Sequence, residues 1–144
     1  MPTDDQVLQF MRLIWAIDHE LERVSKRMET SHGLTIAQRM TLLLIGRHAH
    51  LSASDLAALM YVHAGTMSGI LKRLENGGFI ARTSDQRDGR RHVLTLTAAG
   101  EAANRQRRGT FEHAVRVLLR ATTPGDIAAT ERVLSALADG LRTP

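Results

Sequence analysis

Apolar residues recur at steps of three and four along much of the chain, with charged residues between them. This spacing lies on one face of a helix, and it predicts a long amphipathic helix from Val7 to about Gly33. A second helix is predicted from Thr35, where Thr35 and Gln38 have the spacing of a capping box, and it fades at 48–50. The apolar pattern therefore predicts a helical start to the fold.

Two shorter helices are predicted next, separated by a brief break in the apolar pattern. Ser52 and Asp55 repeat the capping-box spacing at the start of the third helix. The pattern breaks at 61–64 and resumes in a fourth helix, which Gly77 and Gly78 end. Two helices of this length with a short break between them predict a helix-turn-helix.

After the fourth helix the pattern changes to that of β-strands. Residues 79–83 and 92–96 are short, apolar-rich runs. The segment between them, 84–91, contains the turn-forming residues Asp85, Asp88 and Gly89. The sequence therefore predicts a β-hairpin directly after the helix-turn-helix, which is the position of a wing.

The helical pattern returns after the hairpin. Thr97 is predicted to cap a fifth helix that runs as one element to Leu119, with Gly109 inside it. A break at 122–124 precedes a last helix that ends near Leu141. The predicted fold class is mainly α with a small β-hairpin, a winged helix-turn-helix between helices at both termini.

Charge is concentrated in the middle of the chain. The whole chain of 144 residues has a formal net charge of +4 and is 43% hydrophobic, which suits one folded domain. Residues 61–110 contain nine basic against four acidic residues, whereas the remainder is close to neutral. The predicted helix-turn-helix and wing are therefore the candidate anion-binding face.

Composition also excludes several functions. The chain has no cysteine, which rules out disulfides, iron–sulfur clusters and thiol chemistry. Its histidines lack a metal-binding spacing, and no set of nucleophile, base and orienting residue is recognisable, so neither a metal, a cofactor nor an enzyme is expected. Charged residues within the first twenty positions argue against a signal peptide or a membrane span, and a cytoplasmic location is expected.

The order of these elements resembles the MarR (multiple antibiotic resistance regulator) family of winged helix-turn-helix repressors. The residues that support the resemblance are Thr66–Ser68, Leu74–Arg82, Asp88–Arg91 with Val93, and Leu96–Gly100. The resemblance covers essentially the whole chain. It implies a sequence-specific DNA-binding regulator, expected to be a repressor that a small ligand releases from a palindromic operator.

The resemblance also implies a homodimer that associates through helices from both termini. On this reading residues 1–144 form a single domain, in which 1–33 and 98–144 dimerise and 34–97 form the winged helix-turn-helix. The apolar stripes of 7–28 and 111–141 support the expectation, because a wing domain is too small to bury both of them.

Small hydroxyl and cationic side chains on the fourth helix suit contacts with base edges and phosphates. By resemblance, Arg90 enters the minor groove and Asp88 holds it through an ion pair, although Gly89 replaces a second arginine often found there. Whether Arg87 and Arg91 enter the groove with Arg90 stays open. The predicted DNA contacts are Ser52, Ser54, Thr66, Ser68, Gly69, Lys72, Arg73, Arg87, Asp88, Arg90 and Arg91.

A ligand site is expected, by the same analogy, where the terminal helices meet the winged helix-turn-helix. Trp15 would stack on an aromatic ligand, and Arg47 or His48 would pair with an acid group. The alternative is that Trp15 packs in the dimer core, as aromatic residues at helical spacing usually do.

Two function classes remain open from the sequence. One is a DNA-binding regulator, and the other is a winged-helix protein-interaction module without a specific DNA target. The concentration of basic residues favours the first. A further basic cluster at 105–108 is interpreted as a solvated helix face, with contacts to flanking phosphates as the alternative.

Overall fold

The computed structural model describes residues 1–143 and builds them from helices and one antiparallel hairpin. In chain order the elements are α1 (Asp4–His32), α2 (Ile36–Arg47), α3 (Ala53–Leu59), α4 (Ala64–Asn76), β1 (Ile80–Ser84), β2 (His92–Leu96), α5 (Ala98–Arg105), α6 (Phe111–Arg120) and α7 (Pro124–Arg142). The predicted fold class, mainly α with a winged helix-turn-helix, is confirmed. No helix within residues 1–143 combines the length and apolar character needed to cross a membrane.

Hydroxyl side chains set the start of most helices. Both predicted capping boxes are present, at Thr35 with Gln38 and at Ser52 with Asp55. Thr97 caps α5 through the backbone amide of Gly100. These bonds satisfy amide groups that a helix leaves without partners in its first turn. Local sequence therefore fixes where α2, α3 and α5 begin. The start of α4 is the exception, because His63 makes no side-chain cap.

The core lies within residues 34–97, called the winged lobe below. Its fully buried side chains come from α2, α3 and α4, and the hairpin closes the cluster with Ile80 and Leu94. Strand pairing runs from Ile80 opposite Leu96 to Ser84 opposite His92. A further backbone bond, from the Leu94 amide to the Leu51 carbonyl at 3.0 Å, attaches β2 to the segment before α3. The wing is thus packed onto the helix-turn-helix.

The terminal helices α1, α6 and α7 bury very little within one chain. Met28 is the only buried residue of α1, and α6 and the described part of α7 have none. Large apolar side chains stay exposed on all three helices, and Phe10 is 60% exposed. Within residues 1–143, much of the apolar surface predicted from the sequence therefore stays uncovered.

The predicted single fifth helix is wrong. The structure ends α5 at Arg105 and starts α6 at Phe111. The backbone leaves the helix at Gln106, which is extended, with φ −77 and ψ 112. Gly109 in the linker has φ +75, a left-handed conformation, and Thr110 then caps α6 through the His113 amide. The cluster at 105–108 therefore lies at the end of α5 and in the following linker, and all three arginines are exposed there.

Candidate nucleic-acid interface

The fourth helix presents a polar face to solvent and an apolar face to the core. Met67, Leu71 and Leu74 are fully buried, which fixes the rotation of α4 about its axis. This places on the exposed side the predicted DNA-contacting residues Thr66, Ser68, Gly69, Lys72 and Arg73. The arrangement suits insertion of one helix face into a groove of a duplex.

Two glycines, Gly65 and Gly69, lie four residues apart on the exposed side of α4. A Cβ atom added at either position meets nothing within 4 Å, so internal packing requires neither glycine. Glycine inside a helix costs about 1 kcal/mol relative to alanine. This part of α4 therefore has a bare surface, which lets its backbone approach another molecule closely.

The start of α3 uses one predicted contact residue internally. Ser52 is partly buried, and its hydroxyl accepts a hydrogen bond from the Asp55 amide at 3.2 Å. Ser54 is exposed in the first turn of α3. Helix starts carry partial positive charge, so Ser54 is the better placed of the two serines to contact a phosphate.

The tip of the wing is a tight turn built around Asp88. Its carboxylate accepts a hydrogen bond from the Arg90 amide at 3.1 Å, and its carbonyl accepts one from the Arg91 amide at 3.0 Å. Within residues 1–143, no ion pair joins Asp88 to the Arg90 guanidinium. The structure thus does not contain the expected ion pair, and the Asp88 carboxylate closes an Asx turn on the backbone.

The base of the wing contains a buried carboxylate that the sequence did not single out as a site. The Asp85 side chain is only 2% exposed and lies 3.5 Å from His50 Nδ1 and 3.7 Å from Arg87 Nε. The Arg87 amide donates to this carboxylate at 2.9 Å. That hydrogen bond, helped by the nearby cations, holds the pKa of Asp85 below its usual value although burial opposes the shift.

A second ion pair ties the wing to the start of α3. The Arg91 guanidinium donates to the Asp55 carboxylate and, at 3.0 Å, to the His50 carbonyl. The Ser52 amide donates to the same carboxylate at 2.8 Å, and this hydrogen bond is the main reason that the pKa of Asp55 is lowered. Arg91 is partly buried by these contacts, whereas Arg90 is exposed. The structure therefore separates a wing-anchoring arginine from an outward-facing one.

The residues of the predicted ligand site are not brought together in one cavity. Trp15 is 71% exposed and stacks on His19, with ring centroids 6.2 Å apart on α1. His48 lines a cavity of about 590 Å³ between the end of α2 and the hairpin, and no residue of α1 lines it. Arg47 is exposed at the end of α2. Their joint role stays a prediction.

The side chains that could bind a metal ion do not form a cluster either. In the described part of the chain, no group of three histidine or acidic side chains is close enough to hold a metal ion.

Comparisons with known proteins place these features in context. A family model described as the MarR family matches residues 32–91. An HTH-type transcriptional repressor of Mycobacterium tuberculosis is 33% identical over 93 residues, which are 64% of this chain and 67% of that protein. The organic hydroperoxide resistance transcriptional regulator of Bacillus subtilis is 29% identical over 92 residues, covering 64% and 63%.

Solved structures show the same fold over nearly the whole chain. A MarR family transcriptional regulator from Streptomyces coelicolor, in complex with DNA, matches with a TM-score of 0.78 at 19% identity, covering 99% of this chain and 94% of that one. The sequence matches are shorter than the structural ones. The chain spans 45% to 67% of the length of its curated relatives. The structural likeness at this identity concerns the fold alone.

Proposed function

The chain belongs to the MarR family, and from that premise we propose that it is a homodimeric, sequence-specific DNA-binding transcriptional regulator. We assign it the role of a cytoplasmic repressor that binds a palindromic operator through α4 and the wing of each subunit. The relatives are transcriptional regulators and repressors by name, and one solved structure of the same fold contains DNA.

The observation that supports DNA binding most directly is that the acidic side chains of the interface bind partners within the chain, whereas several of its basic side chains do not. The acids near α4 and the wing bind internal partners: Glu75 pairs with Arg82, Asp85 with His50 and Arg87, and Asp88 closes the tip turn. By contrast, within residues 1–143 Lys72, Arg73 and Arg90 make no ion pair, and all three are exposed. The outward face therefore keeps a positive charge available to phosphates.

The exposed apolar faces support the proposed dimer. Residues of α1, with Leu137 of α7, line an apolar groove of about 460 Å³ that opens to solvent. Soluble monomers rarely expose contiguous apolar surface of this kind, whereas a second copy would bury it. A two-fold dimer presents two copies of α4, and it therefore requires two half-sites about one helical turn apart.

For the effector we keep the expectation of a small aromatic or anionic ligand. Trp15, Arg47 and His48 are its proposed contacts, and the partner subunit must complete the site because one chain leaves Trp15 apart from the other two. Trp15 is on α1, the helix that also carries the exposed apolar groove residues. A ligand there would therefore act on the dimer interface and on the orientation of the winged lobes together.

The proposal is tested against the alternative of a protein-interaction module by measuring binding to a random-sequence DNA duplex. Fluorescence anisotropy is recorded at about 50 and 200 mM salt. A protein that contacts six or more phosphates should lose affinity by about a thousandfold between these concentrations. Binding that is absent, or that does not change with salt, would favour the protein-interaction module.

A further inference from the structure

A buried arginine joins the winged lobe to the break between α5 and α6. Arg39 of α2 is 3% exposed, and its Nε donates to the Glu112 carboxylate of α6 at 2.8 Å. Its terminal nitrogens donate to the carbonyls of Ala103 and Gln106, with a longer contact of 3.4 Å to that of Asn104. One side chain from the lobe thus binds the end of α5 and the start of α6.

Neighbouring side chains hold the rest of this linker. His32 Nε2, at the end of α1, lies 2.9 Å from the Arg108 carbonyl, and the Thr110 hydroxyl donates to the Arg107 carbonyl. The last carbonyls of a helix have no partner within it, and a cation suits the negative end of the helix dipole. Carbonyls at the end of α5 and in the linker are therefore bound by side chains of α1, α2 and the α6 cap. Those of Ala103 and Arg107 also accept the backbone amides of Gln106 and Thr110.

Stability alone does not explain why a charged side chain binds these carbonyls. Replacing a buried ion pair with apolar residues is often neutral for stability, because taking two charges out of water offsets their attraction. What the planar guanidinium adds is direction, since its donors point at fixed angles to several acceptors at once. Arg39 therefore fixes the angle at which α5, which leaves the wing, passes into α6, which carries exposed apolar residues.

We propose that Arg39 is the positioning residue that orients the winged lobe relative to the terminal helices, and that it thereby sets the half-site spacing that the dimer accepts. This inference rests on the proposed DNA-binding function. A change in the angle at the break moves the two copies of α4 apart or rotates them. Each added base pair shifts a half-site by about 3.4 Å and rotates it by about 35°.

The test uses the full chain and duplexes that carry the palindrome recovered by selection from random DNA. Centre-to-centre spacing is native, or one or two base pairs longer or shorter, and one duplex holds a single half-site. The variants are Arg39→Met and Arg39→Met with Glu112→Leu, where the second removes the unpaired acid and protects folding. Arg23→Met is the matched control, because it breaks an exposed Arg23–Glu20 pair of 3.1 Å within α1.

Wild type and Arg23→Met are expected to prefer native spacing. In the Arg39 variants native-spacing affinity should fall about tenfold and the preference should disappear, with half-site affinity unchanged. A folded double variant that keeps the wild-type preference overturns the proposal. Equal loss on every duplex, the half-site included, also overturns it by reducing Arg39 to a structural residue. If wild type does not distinguish a palindrome from a scrambled duplex, the proposed function itself fails.

Discussion

The Ile14→Asp variant is expected to be monomeric and to lose at least about a hundredfold in operator affinity, because burying an unpaired carboxylate costs several kcal/mol. Ile14 lines the apolar groove that Phe10 and Leu137 share. Of the large apolar side chains of α1 that are exposed in one chain, Ile14 is the least exposed, at 38%. A charge there opposes the proposed association, while the winged lobe, whose core lies elsewhere, should stay folded.

The measurement is sedimentation velocity together with operator titration. Gln9→Asp is the matched control, since it places the same charge on the exposed polar side of α1, away from the groove. It should stay dimeric and bind the operator as wild type does. An Ile14→Asp protein that sediments as a dimer would show that the α1 groove is not the subunit interface.

Replacing Arg90 with alanine is expected to weaken operator binding by about 1 to 3 kcal/mol, with the dimer and the melting temperature unchanged. The structure supplies the reason, because the Arg90 side chain is exposed and its amide alone takes part in the tip turn. Removing the side chain therefore leaves the turn intact. Arg87→Ala should cost less, since Arg87 Nε lies 3.7 Å from the Asp85 carboxylate.

Arg91→Ala separates contact with DNA from positioning of the wing. This substitution leaves Asp55 without its cation and frees the His50 carbonyl, so it should lower both the melting temperature and the operator affinity. Operator titration and thermal unfolding therefore distinguish the variants. Arg90→Ala should change only the affinity, whereas Arg91→Ala should change the affinity and the melting temperature together. If Arg90→Ala bound the operator with unchanged affinity, the assignment of the wing tip to the groove would be wrong.

The elements of the fold could be predicted from the sequence because each boundary depends on nearby residues. Thr35 with Gln38 and Ser52 with Asp55 mark helix starts within four residues, and the apolar period changes at Phe79. The exception is the predicted single fifth helix, which the structure divides into α5 and α6. At the break, the carbonyls of Ala103 and Gln106 bind Arg39, which lies more than sixty positions away in the sequence.

The site could be predicted only in part for the same reason. Buried Met67, Leu71 and Leu74 follow from the helical period, and they determine which side of α4 faces outward. The partner of Asp88 could not be read in this way, since whether a carboxylate binds a guanidinium or an amide depends on the turn geometry. Likewise the bond from Arg91 to Asp55 links positions 36 residues apart. No short-range pattern indicates such a pair.

Selection of binding sites from a library of random duplexes tests most directly whether two copies of α4 and the wing bind DNA as a dimer. We expect an enriched palindrome with half-sites about one helical turn apart. With Ile14→Asp, no palindrome should be enriched. A library that shows no enriched sequence, or one whose consensus lacks two-fold symmetry, would contradict DNA binding by a two-fold dimer.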